Sequence, residues 1–209
     1  MRFAAGIKAW ASAALLTAAL VASPAPAQVP GDTGFEGVRF GATSDELVQR
    51  LGPRATRLGR PMDFGDAYVD VVLRRQELGG YPFIVYFQMD KASRRLKRIH
   101  IERPRHGAVA MVHKALVAAL VAQYGEPTEV CTQRVPRTGG QAIDERIWRR
   151  GDVIVRAVFR EQSLGVLVPR KLGVDDWEVW EPSPEGLPQQ LFVRIAPADA
   201  EPDGCGKPP

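Results

Sequence analysis

The spacing of apolar positions changes several times along this chain, and each change marks an element. Ala9 to Ala22 form an uncharged, mainly apolar run, with Arg2 and Lys8 before it and Ala25-Pro26-Ala27 after it. The run is shorter than the roughly 20 residues a spanning helix needs, and the small-x-small triplet suits signal peptidase, so residues 1–27 are expected to be a cleaved secretory leader. No cysteine follows the expected cut, so no lipid anchor is expected. Beyond a Gly-, Pro- and Asp-containing stretch at 28–36, read as a flexible lead-in, order is expected to begin near Val38. Thr43 and Glu46 have the spacing of a capping box, Leu47, Val48 and Leu51 share a helical face, and Gly52-Pro53 supplies the stop.

Two-residue alternation then predicts three strands. Ala67, Val69, Val71 and Leu73 are expected to face inward against outward Tyr68, Asp70 and Arg74. Tyr81, Phe83, Val85, Phe87 and Met89 form the second inward set, and Ile99 and Ile101 the third, with Arg98, His100 and Glu102 outward. Gly79-Gly80 and Asp90-Lys91-Ala92-Ser93 are short enough to make these strands an antiparallel meander. A period near 3.6 returns from Ala108 to Tyr124, where Val109, Val112, Leu116, Ala119, Leu120 and Gln123 mark one face and Gly125-Glu126-Pro127 ends the helix. Residues 131–141 read as a polar loop. Glu145–Arg149 and Val153–Phe159 flank Arg150-Gly151-Asp152 as a hairpin, and strand-like runs recur at Val166–Val168 and Leu191–Ile195.

The expected fold is therefore α+β: a mainly antiparallel sheet with one long and one short helix packed on a face. The chain divides into leader 1–27, lead-in 28–36, a single domain 37–172 and an acidic, proline-rich C-terminal extension 173–209. The Leu51-Gly52-Pro53 helix stop is echoed by Tyr124-Gly125-Glu126-Pro127, each followed by strands, which raises the question of an internal repeat.

Composition changes this picture little. Of the net charge of +4, two positive charges belong to the leader, so the mature chain carries +2, which is no nucleic-acid signature. Arginine is much commoner than lysine and asparagine is absent, as the coding bias of a GC-rich bacterium would produce. Cys131 and Cys205 are the only cysteines, and an even count in an exported chain reads as one disulfide, tethering the C-terminal tail at a gain of roughly 4.5 kcal/mol in the chain-entropy model.

Phe40-Gly41-Ala42-Thr43, with Glu46, Val48 and Leu51-Gly52-Pro53, resembles the helix opening of the SmpA/OmlA-type outer-membrane lipoproteins and of β-lactamase inhibitor proteins. The resemblance spans about 14 residues. It departs at Gln28, where those lipoproteins carry an acylated cysteine, and in the faintness of the internal echo compared with the inhibitors' tandem copies. It implies a helix-on-antiparallel-sheet module that works by binding other proteins, and it transfers no functional residue.

Catalytic motifs are missing: the mature chain has no Gly-x-Ser-x-Gly, His-Glu-x-x-His, Ser-x-x-Lys or glycine-rich phosphate loop. No catalytic residue, metal or cofactor is assigned, and His100, His106 and His113 read as solvated surface histidines. The candidate binding residues are basic. Residues 91–114 concentrate positive charge, and Arg94, Arg95, Lys97, Arg98, Arg103 and Arg105 are expected to form one basic face. The acidic tail offers an internal partner for that face, while Trp177 and Trp180 are candidate interface anchors. The expected function is a periplasmic or secreted, non-catalytic binding or structural module that engages an envelope or secreted protein, or an anionic surface. Nucleic acid and a transmembrane segment in the mature chain are not expected. The alternative is an enzyme or small-ligand carrier with Tyr68, Asp70, Tyr86 and His100 on the outer sheet face.

Overall fold

The structure, a computed structural model, describes residues 31–103, 108–133, 141–162, 167–172, 177–182 and 189–200. The leader, His106, Arg105 and Cys205 lie outside the described residues. Helix α1 (Ser44–Leu51) leads through a single 3-10 turn into β1 (Ala55–Asp63), β2 (Ala67–Leu78), β3 (Tyr81–Asp90) and β4 (Leu96–Arg103). Helix α2 (Ala110–Tyr124) leads into β5 (Glu129–Gln133), β6 (Gln141–Arg150), β7 (Val153–Gln162), β8 (Leu167–Leu172), β9 (Trp177–Pro182) and β10 (Gln190–Pro197). Eight strands form one antiparallel sheet in the order β1-β2-β3-β4-β10-β7-β6-β5, and β8 and β9 pair as a separate hairpin. The α+β expectation holds, with the sheet dominant. No helix among the described residues is long and apolar enough to cross a membrane.

The sheet order is symmetric about the β4–β10 seam, where His100 stands opposite Arg194. Each half is a helix followed by four strands of the large sheet, and β8–β9 interrupts the second half. Both helices end on a left-handed glycine, Gly52 at φ 60° and Gly125 at φ 80°, whose N–H caps Val48 O and Val121 O respectively. The two echoed stops therefore occupy equivalent places in the two halves. The strand expected inside the C-terminal extension, β10, lies between β4 and β7, which moves the domain's end from residue 172 to at least Pro197.

Both helices cover one face of the sheet. Leu47 and Leu51 of α1, with Val112, Leu116, Leu120 and Tyr124 of α2, bury against Val71, Leu73, Phe83, Val85, Phe87, Ile99, Val155, Ala157 and Val193. Each such side chain contributes about 1.5–3 kcal/mol on leaving water. Trp148 fills this core, and its indole N–H donates to Gly125 O at 2.8 Å, tying β6 to the end of α2. Val109 and Gln123, expected on the buried face of α2, are exposed, because the packed stripe runs through Val112, His113 and Leu116 instead. The lead-in is not loose over its described part: Thr33, Phe35 and Val38 are buried, and the Thr33 hydroxyl donates to Val38 O at 2.8 Å.

Two irregularities in β2, between Val69 and Val72 and between Leu73 and Gln76, break the expected alternation. Val69 pairs with Gln88 and Val72 with Tyr86, on the face away from the helices, whereas Val71 and Leu73 join the helix-side core. The bulge thus turns Asp70 toward α1, where its Oδ1 accepts from the Ser44 hydroxyl at 2.8 Å. Edge strand β5 takes up the start of the expected 131–141 loop, and β1 falls where no element was expected. β1, with Arg57, Arg60 and Pro61, is mostly exposed, the usual way an edge is kept from pairing further.

The face opposite the helices is not a solvated polar surface. Ile147, Ile154, Val158 and Phe192 are buried there, as are Gln88, Glu145 and Arg156. Arg156 forms a buried ion pair with Glu145. Phe64, Tyr86, His100 and Phe192 run across this face as a file of rings 5.6, 6.2 and 5.2 Å apart.

Candidate binding site

The β3–β4 turn carries the first two candidates. Asp90 holds the turn by accepting from the N–H groups of Ala92 (3.1 Å) and Ser93 (2.7 Å) and from the Ser93 hydroxyl (2.9 Å). These bonds keep the Asp90 carboxyl below its usual range. Arg94 takes the left-handed conformation, φ 58°, which costs a non-glycine residue about 1–2 kcal/mol. The turn sends Arg94 and Arg95 to opposite sides of the α1 N-terminus.

Arg94 reaches Tyr68 and enters a cleft of about 460 Å³ with Ser44, Asp45, Arg57 and Asp70. That cleft is largely matched internally: Arg57 pairs with Asp45 at 2.8 Å, and Ser44 is bonded to Asp70. Ser44 has no imidazole among the cleft's lining residues to activate it as a nucleophile.

Arg95 enters a second cleft, of about 370 Å³, between the lead-in and α1. Its Nη1 donates to Gly41 O at 2.8 Å. Arg39 and Arg50 line the same cleft, whose apolar wall is Val38, Phe40 and Leu47. The carboxylate at the cleft, Glu46, closes the capping box with Thr43 N at 2.7 Å and Thr43 Oγ1 at 3.1 Å. Those two bonds hold its carboxyl below the usual range. Sequence reading missed Arg39 and Arg50 because nothing in local spacing links them to Arg95.

The other expected basic residues do not share this place. Lys97 and Arg98 both bind Asp66, Lys97 at 2.7 Å, and Arg98 also bonds to Gln88. The two cations hold the Asp66 carboxyl far below its usual range. Lys91 pairs with Asp63 at 2.9 Å. The acids that pair with this basic stretch, Asp63 and Asp66, thus come from the end of β1 and the β1–β2 connection. Arg103 lies at the far end of β4, roughly 26 Å along the strand from Arg95, on the helix side, its guanidinium 5.9 Å from the Tyr81 ring and 6.0 Å from Phe83. The single basic face is corrected to an exposed pair at the turn, a mid-strand pair sharing one carboxylate and a packed arginine at the end.

Trp177 and Trp180 fall in β9, opposite Leu172 and Pro169. Cys131 sits in β5 and is not a free thiol.

The proposed outer-face set also separates. Tyr68 and Asp70 open on the α1 side, whereas Tyr86 and His100 belong to the ring file on the other face. Nor are the described histidines solvated. His100 is largely covered, and His113 is buried and stacked on Phe159 at 5.1 Å, on the opposite side of the sheet. Burial pushes the His113 imidazole below its usual value, with Asp144 and Arg146 acting in opposite directions. No group of three metal-ligating side chains occurs among the described residues. Comparison of the chain with protein-family models, curated proteins and solved structures finds no match.

Proposed function

We propose that this chain is an exported, non-catalytic binding module of the bacterial envelope, engaging acidic groups of a partner protein through the basic end of the sheet beside α1. The observation that carries the reading is the β3–β4 turn, where a locked hydrogen-bond network presents exposed Arg94 and Arg95 on either side of the helix start. Groups already held by a rigid turn lose little freedom on binding. The absence of catalytic motifs supports the same reading, and the leader-like N-terminus supports a periplasmic or secreted location. A Cys131–Cys205 bond clipping the tail to edge strand β5 completes the proposal.

The test uses the mature chain and periplasmic extract, with bound proteins identified by mass spectrometry. Joint Arg94→Glu and Arg95→Glu substitution should lose partners that Arg75→Glu, at an exposed site on β2, retains. Equal recovery by both variants overturns the proposal. The clip is tested separately: limited proteolysis should release a tail fragment only after reduction, and release without reductant argues against it.

A further inference from the structure

We propose that the cleft between the lead-in and α1 binds a phosphate monoester carried on a small apolar body. The proposal rests on the binding-module reading and names a ligand class for its basic end. Three arginines line the cleft from three separate segments: Arg39 from the stretch before α1, Arg50 from α1 and Arg95 from the β3–β4 turn. None of the three forms an ion pair among the described residues.

Arg50 and Arg95 are held by backbone carbonyls, with no direct ion pair. The Nε of Arg50 donates to the backbone carbonyl of Glu36 at 3.3 Å, while the Glu36 carboxylate is engaged by Arg54 at 2.8 Å and Gln76 at 3.3 Å. Arg95 likewise donates to a carbonyl, that of Gly41. The guanidinium of Arg50 also lies against Gly37, where an added Cβ would fall 2.0 Å from its Nη2. Backbone carbonyls therefore fix two of the forks in place, and the Glu36 and Glu46 carboxylates act on Arg50 and Arg95 only through space, without a direct ion pair.

The shape of the donor set selects the anion. A planar carboxylate offers two oxygens and suits a single fork, whereas a phosphate monoester offers three oxygens in a tetrahedral spread, which matches forks arriving from three segments. Val38, Phe40 and Leu47 supply an apolar wall for the group that carries the phosphate, and about 370 Å³ is the size of a small-ligand cleft. Glu46, with its carboxylate bonded to the Thr43 cap, limits how deeply a second negative group can enter.

Titration calorimetry of the mature chain with phenyl phosphate tests this directly, alongside flotation with phosphatidylcholine vesicles with and without phosphatidate. Saturable binding of phenyl phosphate, tighter than of benzoate and weakened by salt, is expected. Arg39→Ala and Arg95→Ala should each weaken it on the order of tenfold, the loss of one charged hydrogen bond, and Arg75→Ala should leave it unchanged. Gly37→Ala, which displaces Arg50, should weaken it similarly, and circular dichroism confirms that each variant is folded. Binding in solution identifies a soluble source and phosphatidate-dependent flotation sensitive to Arg39→Ala a lipid one; either supports the proposal. No binding of either probe, binding indifferent to Arg39→Ala, or benzoate binding as tight as phenyl phosphate overturns it. Arg39 lies outside the turn that carries partner capture, so the two readings fail separately: phosphate binding indifferent to Arg39→Ala, with partners lost in the Arg94→Glu, Arg95→Glu variant, overturns the phosphate site alone, whereas phosphate binding lost in Arg39→Ala, with partners retained in the double variant, overturns the partner reading alone.

Discussion

Gly79 and Gly80 form the β2–β3 turn with φ angles of 59° and 79°, and they predict different costs for the same substitution. Alanine at either position must adopt the left-handed region, at about 1–2 kcal/mol. At Gly80 that is the whole cost, because an added Cβ meets nothing within 4 Å. At Gly79 the Cβ would lie 2.6 Å from Ala115 O, 2.7 Å from Ala115 C and 3.0 Å from Leu116 N, all backbone of α2. Helix backbone cannot swing aside as a side chain can, so overpacking adds about 1–3 kcal/mol. Gly79→Ala should therefore cost about 2–5 kcal/mol and Gly80→Ala about 1–2. Urea denaturation followed by circular dichroism measures both, and a chain of this size should lose about 2–4 °C in Tm per kcal/mol. Equal losses for the two variants would refute the claim that the hairpin turn abuts the middle of α2. A larger loss at Gly80 would refute it more strongly.

Three further outcomes follow from buried or paired charges. Asp66→Asn should cost under about 1 kcal/mol at neutral pH, since its carboxylate is half exposed. Its folded pKa is depressed by Arg98 and Lys97, so the contribution exists above the ordinary carboxylate range and is lost as pH falls; the variant should show a flatter acid limb in stability against pH. Glu145→Gln, which takes one charged hydrogen bond from buried Arg156, should cost about 1.5–3 kcal/mol, and an additive double-mutant cycle with Arg156→Met would contradict the pair. Burial pushes the Tyr124 phenol up to about 12, so the folded chain keeps a proton that the unfolded chain releases from about pH 10. Stability should be complete below that pH and fall as it climbs toward 12, and Tyr124→Phe should lessen that fall in alkaline melts.

Elements written in local code were legible in the sequence. The α1 capping box, the glycine stops of both helices, the Gly79-Gly80 turn and the β6–β7 hairpin depend on residues within a few positions of one another. Edge strands β1 and β5 were not, because a strand with one open side and little burial needs no apolar alternation. The β2 bulges defeated a strict period of two, so Ala67 and Val69 were assigned the wrong face while Val71 and Leu73 were assigned correctly. At the candidate site, a run of basic residues was visible but its division was not. Asp66, whose one carboxylate pairs with both Lys97 and Arg98, lies some thirty positions upstream, and Arg39 and Arg50 join Arg95 only through the fold.

The seat of β10 governs the order in which the molecule can be assembled. The first helix and its four strands can pair from neighbouring chain alone, but β4 then ends in a bare hydrogen-bonding edge until a segment from near the far terminus arrives. A polypeptide cut short before Gln190 would keep most of its residues yet hold two unzipped half-sheets, each inviting strand addition from another copy. The keystone is added late, and until then the two halves remain open to the wrong neighbour.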